Sequence, residues 1–217
     1  MPTQLLPQID KLFSTIDFLG VFVGALGGAV AAVRDTRYKY DFVGVMGLAL
    51  ASALGGGIVR DIIIQHGPPL AFVDVRYLMI ALAGAVAGLL FASRIGRHTE
   101  KVMVMVDAAA LGLFAVAGST RALDAGLRDL PALLLGGLTA VGGGSIRDVL
   151  SGRTPQIFER GQLYAVAAIF GAAAFIFCDA LGMNRELSTA IGTSCGFGLR
   201  ILALRYDWRT KSVRAET

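Results

Sequence analysis

Two short stretches of the sequence combine glycine with opposite charges inside apolar surroundings. Each is a glycine triplet, followed two residues later by an arginine and an aspartate: Gly55, Gly56, Gly57, Arg60 and Asp61 in the first, and Gly142, Gly143, Gly144, Arg147 and Asp148 in the second. Each glycine weakens a helix by roughly 1 kcal/mol relative to alanine, and charges in lipid are costly. Carbonyls and N–H groups freed at a helix break attract cations and anions. The motifs therefore predict two interrupted membrane helices along a path for an ion or solute.

The charges of the two motifs have two interpretations. Arginine and aspartate are neighbours in sequence, about 100° apart on a helix, so we expect each to need a partner elsewhere. In one interpretation Asp61 and Asp148 line a cation path, and Arg60 and Arg147 are tethered groups that open and close it. In the other, all four reach the membrane surface as caps and topology anchors.

Further polar residues inside the apolar runs are weaker candidates. Ser52, Thr139 and Ser145 supply hydroxyls that could line a path. Tyr77 and Tyr164 are either interfacial anchors or symmetric members of a shared pathway. Asp17 and Asp107 are ambiguous between helix capping and ion attraction.

The composition is that of an all-α membrane protein. Of the 217 residues, 55% are hydrophobic and 17% charged, and the mean hydropathy is +0.66, whereas soluble domains average about 25% charged residues. Apolar runs long enough to cross a bilayer predict seven transmembrane helices, at residues 16–33, 42–65, 76–93, 102–118, 131–151, 162–179 and 188–205.

The sequence also repeats itself. The two glycine triplets align at an offset of 87 residues, which also matches Tyr77 with Tyr164, and residues 19–22 match residues 111–114 at an offset of 92. Because each repeat (residues 16–93 and 102–179) holds three spans, we expect a 3+3 inverted-topology repeat plus a seventh helix. The kinked second and fifth helices should meet near the membrane midplane. One domain would cover residues 1–205, followed by a cytoplasmic tail at 206–217.

Basic residues set the expected orientation. Fourteen of the 20 lysines and arginines fall on the side that includes the C-terminus and six on the other, so the C-terminus is expected in the cytoplasm and the N-terminus outside. The net charge of +4 is then a topology signal, and no nucleic-acid partner is expected.

Enzymatic and cofactor chemistry is not expected. The sequence lacks phosphate-loop, dinucleotide-binding and zinc-protease motifs, and no histidine accompanies the hydroxyls inside a span. Cys178 and Cys195 have no metal or redox spacing and are interpreted as packing residues. No cofactor is predicted.

The doubled motif and the seven spans resemble the trimeric intracellular cation channel family, in its prokaryotic branch, over about residues 10–205. The resemblance implies a homotrimer in a bacterial or archaeal plasma (inner) membrane. It also implies a potassium-permeable pore within each subunit, lined by the two kinked helices, with potassium bound only transiently. The motif glycines would be the kinks, and Arg60, Asp61, Arg147 and Asp148 the charges beside them.

Two functions of different kinds remain open from the residues. A monovalent cation channel needs a continuous hydrated path with weak sites, whereas a secondary transporter needs an occluding site and rocking halves. Bacterial relatives of the family have been catalogued as glycine transporters, so the alternative is a carrier of a small solute such as glycine. The channel is favoured because nothing beyond the motif offers partners for both charged ends of an amino acid.

Overall fold

All the regular secondary structure in the described part of the chain is helical. The computed structural model describes residues 11–94, 99–158 and 163–209. Within them lie eight helices: α1 (Lys11–Val33), α2 (Phe42–Ile64), α3 (Leu70–Val73), α4 (Val75–Arg94), α5 (Thr99–Asp124), α6 (Asp129–Leu150), α7 (Tyr164–Ala180) and α8 (Arg185–Arg205).

Each predicted span falls on one of these helices, and six of them are long and apolar enough to cross a membrane. The exception is α7, which is apolar but only 17 residues long, or about 25 Å at 1.5 Å per residue. The short helix α3 was not predicted, and α5 continues past the predicted end at residue 118 to Asp124. The predicted tail at 206–217 lies mostly outside the described residues, as does the loop around Arg97.

Local signals in the sequence explain several helix ends. The Asp41 side chain caps α2 by accepting a 2.7 Å hydrogen bond from the Gly44 N–H, as expected of an N-cap aspartate. α2 ends where Gln65 adopts the left-handed conformation (φ 55°). At the start of α8, Asn184 caps the Glu186 N–H at 2.8 Å.

The helices pack as two groups of three, and α8 packs against the second group. α1, α2 and α4 contact one another, and so do α5, α6 and α7, while α8 packs on α5 and α7. The groups meet mainly where α2 contacts α6 and α1 contacts α5. This central seam brings the two glycine triplets together.

The prediction that the triplets interrupt their helices is wrong. α2 and α6 each continue as one α-helix through the triplet, over 23 and 22 residues. The glycines serve close helix packing instead, which outweighs their low helix propensity because most helical stability in proteins comes from packing.

Candidate functional site

The first motif arginine is fully buried in a network of four side chains, the Arg60 cluster (Asp17, Arg60, Asp61, Tyr77). Arg60 donates to both oxygens of Asp17, at 3.1 and 3.2 Å, and through Nε to Asp61 at 2.8 Å. The Tyr77 hydroxyl donates to Asp17 at 2.8 Å. The Leu70 N–H, at the start of α3, donates to Asp61 at 2.9 Å. One cation and two carboxylates from α1 and α2 are thus mutually satisfied, and the network ties the start of α1 to the end of α2.

The second motif forms an equivalent but looser group, the Arg147 cluster (Asp107, Arg147, Asp148, Tyr164). Arg147 donates through Nε and Nη2 to Asp148, at 3.0 and 2.8 Å. Tyr164 reaches Asp107 at 3.4 Å. The bidentate bond that Asp17 accepts has no counterpart among the described contacts of Asp107. Among the described hydrogen bonds, the Arg60 cluster is therefore the more extensively bonded of the two.

Of two expectations about these charges, one holds in part and the other is wrong. Each arginine bonds its neighbouring aspartate, because the long side chain carries Nε and the guanidinium around the helix to the adjacent carboxylate, but Arg60 also has the expected partner elsewhere, in Asp17. The motif charges also do not extend to the membrane surface as anchors, since Arg60 is 1% exposed and the Arg147 side chain 11%.

Asp17 and Asp107 hold positions that sequence reasoning left open. Both lie inside helices, at the seventh residue of α1 and the ninth of α5, so neither is an N-cap. Each accepts a hydrogen bond from the hydroxyl of the tyrosine of its own half. Asp107 follows Asp17 by 90 positions, as Gly118 follows Gly28, and Gly28 and Gly118 face the equivalent residues Ser52 and Thr139. The sequence offset between the first helices of the two repeats is thus 90 residues. The predicted offset of 92 is wrong, since glycine-rich apolar segments match at several offsets. An aspartate inside each first span at one common offset was the signal that could have identified this pair.

The triplets touch each other through bare backbone. A Cβ added to Gly56 would overlap the Thr139 carbonyl oxygen, and one added to Gly143 would overlap the Ser52 carbonyl oxygen. Ser52 and Thr139, like Gly56 and Gly143, are 87 positions apart, so the two contacts are reciprocal. The expectation that the second and fifth spans approach each other at their triplets is confirmed in its geometry.

Three cavities lie between the two groups of helices, and each is lined by residues of α1 and α5. The largest, the vestibule, has a volume of about 480 Å³ and opens to the surface. Its charged lining residues are Asp35, Arg37, Asp107, Arg147, Asp148, Arg153 and Arg200. A second cavity of about 20 Å³ shares Gly27, Asp107 and Arg147 with the vestibule and reaches Ser52 and Gly143. A third, of about 10 Å³, lies against the Arg60 cluster.

At the mouth of the vestibule, an ion pair and two hydrogen bonds join the α1–α2 loop to the α6–α7 loop. Asp35 pairs with Arg153 at 2.8 Å, and Arg37 donates to the carbonyls of Ser151 and Gly152 at 3.2 and 3.3 Å. Burial alone would raise the pKa of Asp35, but the Arg37 N–H and the charge of Arg153 hold it below its usual value. Asp35 therefore stays ionised near neutral pH and keeps the two loops joined.

Some of the remaining candidate residues line a cavity, and the others bond to their own helix. Ser52 and Tyr164 line the second cavity and Tyr77 the third. The hydroxyls of Thr139 and Ser145 instead donate to carbonyls of their own helix, at 2.7 and 2.8 Å, and neither residue lines these three cavities. Sequence reasoning missed Arg200 of α8, which lies 4.8 Å from the Tyr164 ring centre and lines the vestibule. An arginine five residues before the last residue of α8, Arg205, was its only signal.

Comparison with known proteins assigns the chain to a family. The family model described as "Glycine transporter" matches residues 14–93 and 104–180. A UPF0126 membrane protein of Deinococcus radiodurans is 36% identical over 200 residues, which cover 92% of this chain and 88% of that protein. A second, from Streptomyces coelicolor, is 45% identical over 88% of this chain and 86% of its own.

Solved structures share the fold. The TRIC trimeric intracellular cation channel orthologue from Rhodobacter sphaeroides superposes with a TM-score of 0.83 at 33% identity, over 91% of this chain and all of that one. A TRIC cation channel described for its conductance gives a TM-score of 0.80 at 28% identity, over 94% and 98% of the two chains. The chain therefore belongs to the TRIC-related family of membrane proteins that the glycine transporter model describes.

Proposed function

We propose that this protein is a potassium-permeable monovalent cation channel, with a pore inside each subunit between α2 and α6. The supporting observation is the row of three cavities between the two groups of helices, which begins at a vestibule with Asp107 and Asp148 in its lining and whose second member is lined by both α2 and α6. These carboxylates attract cations locally, while the four arginines of the same lining give the vestibule as a whole a net positive charge. Similarity to cation channels also supports a role without catalysis.

The pore would be built from an inverted repeat of seven membrane crossings, with α7 as the shortest. The reciprocal contacts of the triplets and the equivalence of the Arg60 and Arg147 clusters support a two-fold relation between the two groups of helices. Opening would bend α2 and α6 at the triplets, where absent side chains and low helix propensity make deformation least costly. The Arg60 cluster would act as the closed gate and the vestibule as the open end.

The assembly would be a homotrimer in the bacterial inner membrane, with the N-terminus outside and the C-terminus in the cytoplasm. The names of the solved relatives support trimerisation, and the bias of basic residues supports the orientation. The vestibule, formed at the C-terminal ends of α1, α6 and α8, would then face the cytoplasm.

Recording from purified protein in a planar bilayer tests this function, with potassium as the only permeant cation. Unitary current steps whose reversal follows the potassium gradient are expected. A folded, reconstituted protein without such steps at any voltage would contradict the proposal.

A carrier of a small zwitterion such as glycine is the second candidate. The observation in its favour is the mixed charge of the vestibule, whose four arginines and three aspartates could engage both ends of an amino acid. Saturable uptake of labelled glycine into proteoliposomes, without unitary currents, would favour the carrier over the channel.

A further inference from the structure

The two small cavities between the helix groups have one aromatic lining residue in common. The polar lining residues of the second cavity are Ser52, Asp107, Arg147 and Tyr164, and those of the third are Asp17, Arg60, Asp61 and Tyr77. In the part of the chain that the structure describes, Phe114 of α5 is the one residue that lines both. The second cavity is large enough for one water molecule and the third is at the lower limit. Polar groups thus approach this ring from both sides without meeting.

The ring occupies a space that glycines on α1 keep open. A Cβ added to Gly20 would lie 2.9 Å from Cε1 of Phe114, and one added to Gly24 would lie 3.2 Å from Cε2 and 3.3 Å from the Ala53 Cα. Gly24 precedes Phe114 by 90 positions, the offset that relates Asp17 to Asp107. The aromatic ring of one half therefore packs against the glycine at the equivalent position of the other, where two large side chains could not both fit.

We propose that Phe114 is the hydrophobic barrier of the closed pore, a closure distinct from the polar Arg60 cluster. This inference rests on the channel function proposed above. A ring 4% exposed, held between two cavities that carry charged groups, leaves an apolar gap that water and a hydrated cation do not cross. Narrow hydrophobic constrictions exclude water and so stop conduction. Conduction requires the ring to leave the seam between α1 and α5 or to rotate within it.

Ordinary core packing is the competing explanation, and it predicts a different result. Replacing a core phenylalanine by alanine destabilises a protein wherever the ring lies. Making a barrier residue smaller, or packing it more tightly, also changes conduction. The same change at a packing residue affects only stability. The matched control is Phe175 of α7, which is fully buried and lines none of the three cavities.

The experiment measures potassium flux into proteoliposomes and unitary currents for Phe114→Ala, Phe114→Leu and Phe175→Ala, each with its melting temperature. Phe114→Ala should raise resting flux about tenfold, equivalent to about 1.4 kcal/mol of barrier, and Phe114→Leu should raise it less. Leucine is the safeguard against misfolding, since it keeps an apolar side chain in the core. Gly24→Ala, which pushes a methyl group against the ring, should lower flux. Phe175→Ala should lower the melting temperature and leave flux unchanged.

The outcomes separate this inference from the channel function. If the wild type conducts and the folded Phe114 variants conduct no more than it does, the barrier is elsewhere and Phe114 is a packing residue. If Phe175→Ala raises flux as much as Phe114→Ala, leakage comes from general loosening and the inference also fails. If neither wild type nor any folded variant conducts, the channel function itself is wrong. Flux that appears only in the Phe114 variants supports both the channel function and the barrier role of Phe114.

Discussion

Asp148 is one of the carboxylates that a cation entering the proposed pore would meet in the vestibule. It lines the open vestibule, accepts two hydrogen bonds from Arg147, and is 6% exposed. The equivalent carboxylate, Asp61, is closed off among Arg60, Leu70 and Tyr77. Although both belong to the same motif, only Asp148 is placed to act on ions in the vestibule of this conformation.

Asp148→Asn should therefore lower unitary potassium conductance. A unit charge about 4 Å away in water contributes about 1 kcal/mol, or roughly a fivefold change in local cation concentration. Unitary currents at low ionic strength measure this, because salt screening reduces the effect. Asp74→Asn is the control, since Asp74 lies between α3 and α4 and pairs with Arg76 away from the vestibule. Equal losses of conductance in both variants would contradict a local role for Asp148.

The two tyrosines should differ in their effect on gating. Tyr77 donates a 2.8 Å hydrogen bond to Asp17, whereas Tyr164 reaches Asp107 only at 3.4 Å. Tyr77→Phe removes one bond to a buried carboxylate, about 1.5–3 kcal/mol, and should raise open probability without changing unitary conductance. Tyr164→Phe is the matched control and should have the smaller effect. A larger effect of Tyr164→Phe on open probability would mean that the Arg147 cluster is the gate.

At the scale of the helix, the seam between α2 and α6 tolerates no side chain at its closest points. The middle glycine of each triplet faces a carbonyl oxygen of the other helix, whereas at Gly57 the nearest atom to an added Cβ, Arg60 Nη2, is 3.6 Å away. The three glycines of a triplet therefore have different tasks.

Gly56→Ala and Gly143→Ala should each destabilise the protein by about 1–3 kcal/mol, because overpacking forces the two helices apart. Gly57→Ala should be neutral or stabilising by up to about 1 kcal/mol, since alanine is the better helix former. Thermal unfolding in detergent measures both. If all three substitutions lower the melting temperature equally, helix packing at the carbonyls is not what requires the glycines. Replacing a whole triplet by alanine would leave folding largely intact if the helices were broken there, but with continuous, closely packed helices it should prevent correct packing.

The helices could be predicted from the sequence because long apolar runs between turn residues have few alternatives. The bonding partners of individual side chains could not be predicted from the sequence. The bond from Arg60 to Asp61 depends on how a flexible side chain wraps around its helix, and the bond to Asp17 depends on how α1 crosses α2. Continuity of α2 through Gly55 to Gly57 was also beyond reach, because propensity argues for a break and only the packing against α6 explains why none occurs. Arg200 gave no periodic signal that would place it beside Tyr164.

For the whole molecule, the proposed orientation places the vestibule at the cytoplasmic face. An alkaline phosphatase fusion at Thr217 should be inactive, and an insertion at Gly126, between α5 and α6, should be active, because that enzyme folds only outside the cytoplasm. The basic-residue bias gives the physical reason. Activity at Thr217 would reverse the orientation, and equal activity at both sites would require an even number of crossings between them.

In the proposed pore, the open vestibule has an electrical consequence. A wide aqueous cavity carries the potential of its own compartment inward, so most of the membrane voltage would fall across the closed segment between the vestibule and the far surface. Arg60, Asp17 and Asp61 would lie in that segment. An elementary charge moving through the full voltage changes the free energy by about 2.3 kcal/mol per 100 mV, which is comparable to one buried hydrogen bond to a charged group. A small displacement of Arg60 would therefore couple the gate to membrane voltage without a separate sensor helix.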